Sequence, residues 1–242
     1  LDNTSKVIEY TTECQRLGIK VQQPDINISR GGFTADGERI RFGLNAVKSV
    51  GRDLIEAVIK ERVNQPYRGL YDFCKRLHGT GLNRRALENL GKAGAFDNLE
   101  PTRHGMLESV EGILKSVETD ARQNLDGQMD LFGLMGGGEE KPVNDYKVPN
   151  LPEYSASELL KMEKEVSGLY LSGHPLDAYR IQIAQISNCT IAQLLGEDAK
   201  QFDNQTVTLV CTIVKNKIMT TKSNTLMAFT TVEDLTGSME LL

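Results

Sequence analysis

The residues best suited to chemistry lie in LNAVKSVGRDLIEAVIKER, residues 44–62. An apolar helix end, a tight loop Lys48-Ser49-Val50-Gly51 and a new amphipathic helix from Arg52 have the layout of a helix–hairpin–helix unit. Glycine lets a backbone turn with positive φ. Consecutive N–H groups at the N-terminus of the second helix can then face one phosphate. Lys48 and Arg52 add charge without reading bases, which suits sequence-independent contact with a duplex. Taken alone, an ordinary helical turn with a C-cap glycine explains the same residues. A second unit follows in LNRRALENLGKAGAFDNL, residues 82–99, with the loop Lys92-Ala93-Gly94-Ala95 and with Arg84, Arg85 and Arg103 nearby. Two units about 40 residues apart fit the tandem form that grips both backbones across a minor groove. Ser49 stands where the usual GxG loop has its first glycine, which makes the first loop the weaker phosphate binder of the two.

QMDLF, residues 128–132, is a third signal: an apolar pentapeptide in a polar, glycine-rich stretch. Leu131 and Phe132 can anchor in a hydrophobic pocket while Gln128 offers amide groups to its rim, with Met129 and Asp130 between them. The competing expectation is that Leu131, Phe132 and Leu134 fold back onto the parent domain. Other chemistry finds little support. His78, His104 and His174 lack metal-ligand spacing. Ser172-Gly173-His174-Pro175 has no nearby acid or nucleophile elbow. Glu163 and Glu165 read as an ordinary solvated helix face. Neither an Asp-x-Asp pair for a two-metal site nor a Walker loop nor GxGxxG occurs. No residue is therefore assigned a catalytic or metal-binding role.

The elements that must position these groups are mostly helical. Residues 4–17 place Val7, Ile8, Thr11, Cys14 and Leu17 on one side and end at Gly18. Residues 18–29 read as extended chain, and Asp36-Gly37 marks a hairpin. Helices near 52–63, 69–77, 83–92 and 102–123 each carry an apolar stripe that faces a core. Residues 124–153 break every pattern and read as a linker or long surface loop. Helical pattern returns at Ser155–Leu171 behind the capping box Ser155-x-x-Glu158, then over 175–186 and 190–195. From Gln205 the period becomes that of strands, at 206–214, 226–233 and 238–242. Three strands cannot close a barrel, so this β-module reads as truncated.

Composition sharpens the picture once it is divided. The 242 residues are 39% hydrophobic and 25% charged, as in a soluble globular protein, and the net charge of −5 speaks against a simple nucleic-acid binder. Yet residues 41–105 carry 12 basic and 7 acidic side chains, while 1–40 are net −1 and 106–242 net −9. The basic stretch coincides with the two hairpins. Apolar runs are too short to span a bilayer, and no signal-peptide pattern opens the chain. Cys14, Cys74, Cys189 and Cys211 have no CxxC spacing and read as reduced, buried thiols of a cytosolic protein. The chain starts at Leu1 with its first methionine at Met106, and so reads as a piece of something larger.

GIKVQQPDINIS, IRFGLNAVKSVG, LNRRALENLGKAGAFD and EKEVSGLYLSGHPLDAY, in this order, resemble the bacterial DNA polymerase III alpha subunits of the DnaE type. The resemblance covers nearly the whole chain. It implies a mainly α fold, a tandem helix–hairpin–helix domain with flanking helices, followed by the first strands of a β-barrel OB-fold. The implied order is the end of the fingers (1–43), the duplex-binding hairpin domain (44–123), a loop with a clamp-binding motif (124–153), a helical connector (154–204) and a truncated OB-fold (205–242). It further implies that Lys48–Arg52 and Lys92–Ala95 contact primer–template DNA and that Gln128–Phe132 dock on the β sliding clamp. Other replisome subunits are further expected partners, and the OB-fold is associated with single-stranded template. The palm aspartates and their Mg2+ lie outside this stretch, so the segment is expected to bind without catalysing, in the cytoplasm. A stand-alone hairpin module of a repair protein is the alternative.

Overall fold

Apolar side chains at steps of three and four turn residues 52–125 into four helices around one core. A computed structural model, describing residues 6–7, 10–11, 13–14, 17–125, 146–221 and 223–242, places them at α1 (Arg52–Glu61), α2 (Leu70–Arg76), α3 (Arg84–Lys92) and α4 (Arg103–Leu125). Leu54, Ile55 and Val58 of α1 meet Leu70 and Phe73 of α2, Leu87 and Leu90 of α3, and Met106, Val110 and Ile113 of α4, all almost fully buried. Phe73 packs edge-to-face on both Tyr67 and Phe96, with centroids 4.9 and 5.1 Å away. Burial pushes both the Tyr67 phenol and the Cys74 thiol up to about 12. Helix α1 stops at Glu61, short of the expected 63, and Val63 is left 80% exposed.

The chain divides into two compact units, Leu1–Ile8 with Ile19–Leu171, and Glu9–Gly18 with Ser172–Leu242. The described residues between Lys6 and Cys14 are helical, and the chain leaves them at Gly18 with φ +74°. Of the stripe expected there, Val7 and Thr11 are buried whereas Leu17 is 60% exposed.

In the first unit a small sheet of order β1-β3-β2 precedes the helices: β1 (Val21–Gln22), β2 (Thr34–Asp36) and β3 (Arg39–Arg41). The β2–β3 hairpin turns on Gly37, whose φ of +61° belongs to the left-handed region. The extended reading of 18–29 fails from Asp25 onward. The Asp25 carboxylate accepts the Asn27 and Ile28 N–H groups at 2.7 and 3.2 Å, closing a tight turn. That turn buries Ile26 completely, with its N–H on the Ala95 carbonyl at 2.9 Å. Helix α5 (Ala156–Ser167) opens on the expected Ser155/Glu158 capping box and ends at Gly168, φ +83°. Val166, Leu169 and Leu171 form a second core with Phe42, Val47 and Ala93.

A buried ion cluster ties these elements together. Arg103 donates to both Asp97 oxygens at 2.9 and 2.7 Å, to Glu163 Oε1 at 3.0 Å and to the Lys92 carbonyl at 3.2 Å. Glu163 also accepts Gln23 Nε2 at 2.9 Å and the Leu171 N–H at 2.8 Å. Glu163 is 0% exposed, which corrects its reading as solvated helix surface, and Arg103 is equally internal at 6%. Burial alone would lower the Arg103 pKa, but Asp97 and Glu163 outweigh it and raise it.

Of the two readings of 124–153, residues 146–153 fit the surface loop. They run along α4, where Gly105 and Gly112 leave room: a Cβ at Gly105 would lie 2.0 Å from the Pro149 carbonyl oxygen, and one at Gly112 2.7 Å from Tyr146 Oη. Glu153 then accepts the Arg103 and His104 N–H groups at the start of α4, at 2.8 and 3.2 Å. Its partial burial opposes ionisation, yet these N–H donors hold its pKa below the usual carboxylate range.

The second unit contains α6 (Arg180–Ile186), α7 (Ile191–Leu195) and an antiparallel sheet β4 (Thr212–Thr220), β5 (Leu226–Glu233), β6 (Ser238–Leu241) in sequential order, as at the start of an OB-fold. Asp234, in the β5–β6 turn, accepts the Thr236 and Gly237 N–H groups on one oxygen and the Ile191 N–H at the start of α7 on the other. The first strand lies six residues beyond the expected 206–214. The turn at 221–225, with Asn224 at φ +61°, sets Thr220 opposite Leu226 and so draws 212–220 into the ladder. Thr208, in the more apolar run, bonds instead to Asn188. Of the four free cysteines, Cys74 and Cys189 are buried, whereas Cys14 and Cys211 are half-buried, against the expectation for all four.

Replacing Arg103 by methionine is expected to lower the unfolding free energy by about 3–5 kcal/mol, because it leaves Asp97 and Glu163 without their cation. Replacing Arg122, whose pair with Glu118 lies on an exposed face, should cost under about 1 kcal/mol. Equal shifts in urea titrations would refute the structural weight placed on the cluster.

Candidate nucleic-acid interface

The first loop is built differently from its sequence reading. Leu44–Ala46 forms a single 3-10 turn rather than the end of a longer helix. Ser49 takes the left-handed conformation at φ +62°, and Gly51 is the extended N-cap of α1 at φ −70°. The turn therefore rests on a serine, at a cost of roughly 1–2 kcal/mol relative to a right-handed residue. Gly51 provides no side-chain cap, and no heavy atom lies within 4 Å of where its Cβ would be. Arg52, the first residue of α1, is exposed. Val50 is not part of that surface. It packs against both cores and pins the loop from within.

Two neighbouring elements hold the loop in place. The Lys48 N–H donates to the Val166 carbonyl of α5 at 2.8 Å, and its carbonyl accepts Asn89 Nδ2 of α3 at 2.6 Å. This contact opens a recess of roughly 580 Å³ that brings together Lys48, Ser49, Arg84, Arg85 and Lys92. The Arg85 side chain has no hydrogen bond or ion pair among the described residues. Arg84 bonds to Glu88 at 2.6 Å and Glu111 at 3.2 Å, and the Glu88 bond is the main cause of its raised pKa. Lys92 pairs with Glu165 at 3.1 Å, and Lys48 Nζ donates to the Glu165 carbonyl at 2.6 Å.

The second loop does not reach this surface. Gly94 has φ +84°, and the Ala95 and Gly94 N–H groups bond to the Leu90 and Gly91 carbonyls, a complete Schellman ending of α3. Ala93 through Phe96 are buried, and a Cβ on Gly94 would meet Arg103 Nη2 at 2.5 Å. Gly94 is thus packed against Arg103 and Asp97, and the backbone of the second loop faces the interior rather than the recess. Lys92 enters the recess from the last turn of α3 instead. Asn89, Glu165 and Val166 were missed because nothing in their local sequence signals a role: they matter only through contacts 41 to 118 positions away in the chain.

Gln128, Met129, Asp130, Leu131 and Phe132 lie outside the described residues. Among the described residues, no group of three or more His, Cys, Asp or Glu side chains is placed to hold a metal ion, and no helix is long and apolar enough to cross a membrane. His104 stacks on Tyr154 at 4.6 Å and shares a hydrogen bond with the Pro152 carbonyl. His174 has an acid nearby after all, but Asp177 accepts its backbone N–H at 2.6 Å.

A family model described as a helix-hairpin-helix motif matches residues 18–106, which contain both hairpins and the five basic or hydroxyl side chains of the recess but not Glu165 or Val166. The DNA polymerase III subunit alpha of Vibrio cholerae is 34% identical over 244 residues, covering 100% of this chain and 20% of that protein. Those of Haemophilus influenzae and Escherichia coli are 32% and 34% identical, covering 100% of this chain and 20% and 21% of the relatives. The chain thus spans about a fifth of the length of the curated relatives it matches. Alike to them from end to end, the chain belongs, as one stretch, to the family of bacterial DNA polymerase III alpha subunits.

Proposed function

We propose that this segment binds the backbone of duplex DNA without reading its sequence and so holds a replicative polymerase on primer–template in the bacterial cytoplasm. The observation that carries the reading is the recess itself. Five side chains that the sequence marks for phosphate contact, drawn from a loop and a helix some 40 positions apart, converge on one open surface beside the uncapped N-terminus of α1. A cationic surface with no base-reading element supplies affinity through counterion release. Within the segment the work is binding, and the chemistry belongs to the rest of the polymerase. The pentapeptide Gln128–Phe132 adds a second tether by seating Leu131 and Phe132 in the sliding clamp, and two modest contacts multiply when one makes the other intramolecular. The β4–β6 sheet is assigned to single-stranded template, and other replisome subunits complete the set of partners.

Fluorescence anisotropy with a labelled duplex tests the first contact. Log affinity should fall linearly with log salt, and Lys48→Gln or Arg85→Gln should each flatten the slope by about 0.9. Binding that ignores salt, or its absence, would overturn the reading. Ser49→Gly should raise stability by about 0.5–1 kcal/mol by relieving the left-handed serine and leave duplex affinity within about twofold. A tenfold loss of affinity would show instead that the hydroxyl itself is needed. For the clamp, pull-down with the chain carrying Leu131→Ala and Phe132→Ala should fail where wild type succeeds. Retention of both would remove the pentapeptide from the mechanism.

A further inference from the structure

We propose that Glu165 is an internal phosphate surrogate: its carboxylate occupies the place of a duplex phosphate beside the lysines of the recess, and DNA displaces it on binding. The inference rests on the duplex-binding reading and adds to it a residue that sets the affinity.

Glu165 comes from the last turn of α5, which belongs to neither hairpin, yet it touches both. Its Oε1 lies 3.1 Å from Lys92 Nζ at the end of α3, and its carbonyl oxygen lies 2.6 Å from Lys48 Nζ in the first loop. A carboxylate presents to an ammonium group the same charge-assisted acceptor that a phosphate does. The side chain is 62% exposed and free to swing into solvent, so little packing is lost when it leaves. The backbone cannot follow it. Glu163, two residues earlier, is locked to Arg103, Gln23 and the Leu171 N–H, and the Val166 carbonyl holds the Lys48 N–H. The recess therefore keeps its shape while one anion exchanges for another. Glu88 differs: it pairs with Arg84 four residues away on its own helix, an ordinary surface pair that bridges nothing.

The exchange is read by a double-mutant cycle in duplex binding, using the same chain and labelled duplex. Glu165→Gln should tighten binding about two- to fivefold, the range of an exposed ion pair no longer to be broken. It should also steepen the salt slope by about 0.9, since one more phosphate is neutralised without displacing an acid. Lys92→Gln should weaken binding more in the Glu165→Gln background than in wild type, because Glu165 acts through Lys92. Glu88→Gln should give a gain that does not depend on Lys92. If Glu165→Gln leaves affinity unchanged, or its effect simply adds to that of Lys92→Gln, Glu165 is a peripheral charge and the surrogate role falls. If wild type shows no salt-dependent duplex binding, the duplex reading falls first and takes this one with it.

Discussion

One buried guanidinium holds the first unit together. Arg103 spans Asp97, Glu163 and the Lys92 carbonyl, so it joins the start of α4, the turn after α3 and the middle of α5. A buried ion pair is weak evidence for net stability, since well-packed apolar residues often do as well. What it supplies here is register. The two-pronged bond to Asp97 fixes one angle, and the bond to Glu163 fixes where along its axis α5 stands. Glu165 and Val166, two and three residues further on, are thereby set against the first loop. A greasy contact would allow α5 to slide or rotate, and either motion would carry the Val166 carbonyl away from Lys48. The shape of the basic recess is thus decided by a residue that does not line it.

This changes how the charge of the basic stretch is counted. Several of its cations serve the fold. Arg62 donates to the Ile26 and Ser29 carbonyls, Arg76 caps the Glu61 and Gln65 carbonyls while lying over the Tyr67 ring, and Arg41 is engaged by Asp36 and Gln22. Arg62 and Arg76 satisfy main-chain carbonyls of the turn at 26–29 and of the chain after α1, while Arg41 ties β3 to side chains of β1 and β2. Of the rest, Arg85 carries no internal obligation among the described residues, and Lys48, Arg84 and Lys92 are held by bonds that a phosphate can replace. Net charge located the region, and only geometry separated the structural cations from those left for a partner.

The sequence showed best what depends on neighbours. The four helices of the core and the Ser155 capping box were legible because period and cap chemistry are local. So was the glycine of the β2–β3 turn. What was hidden depends on distant contacts. Glu163 lies on a helix full of charge, and only the approach of Arg103 from 60 positions away makes it interior. That the surface loop at 146–153 is seated on α4 was hidden because its partner is a missing side chain, at Gly105 and Gly112. The first strand of the second unit was misplaced because pairing follows the turn at 221–225 rather than the most apolar run. In the candidate site, the cations that line the recess are legible in the sequence, whereas the burial of the second loop is not: a glycine with positive φ marks a turn, but which side of the turn faces solvent is settled by what packs against it.

In the proposed duplex-binding role, the acids that rim the recess also find a place. A duplex carries about one charge per 1.7 Å, so a surface of unopposed lysines and arginines holds it tightly and releases it slowly. A surface with the proposed task of keeping hold of DNA while the duplex moves needs many weak contacts rather than a few strong ones. In the proposed role, the exposed Glu165 and the half-buried Glu88 would lower the gain from each phosphate contact. Retention then comes from linkage, with each contact re-forming at high local concentration while another holds. On this reading the acids of the recess are part of the device, and a version stripped of them would bind better and move worse.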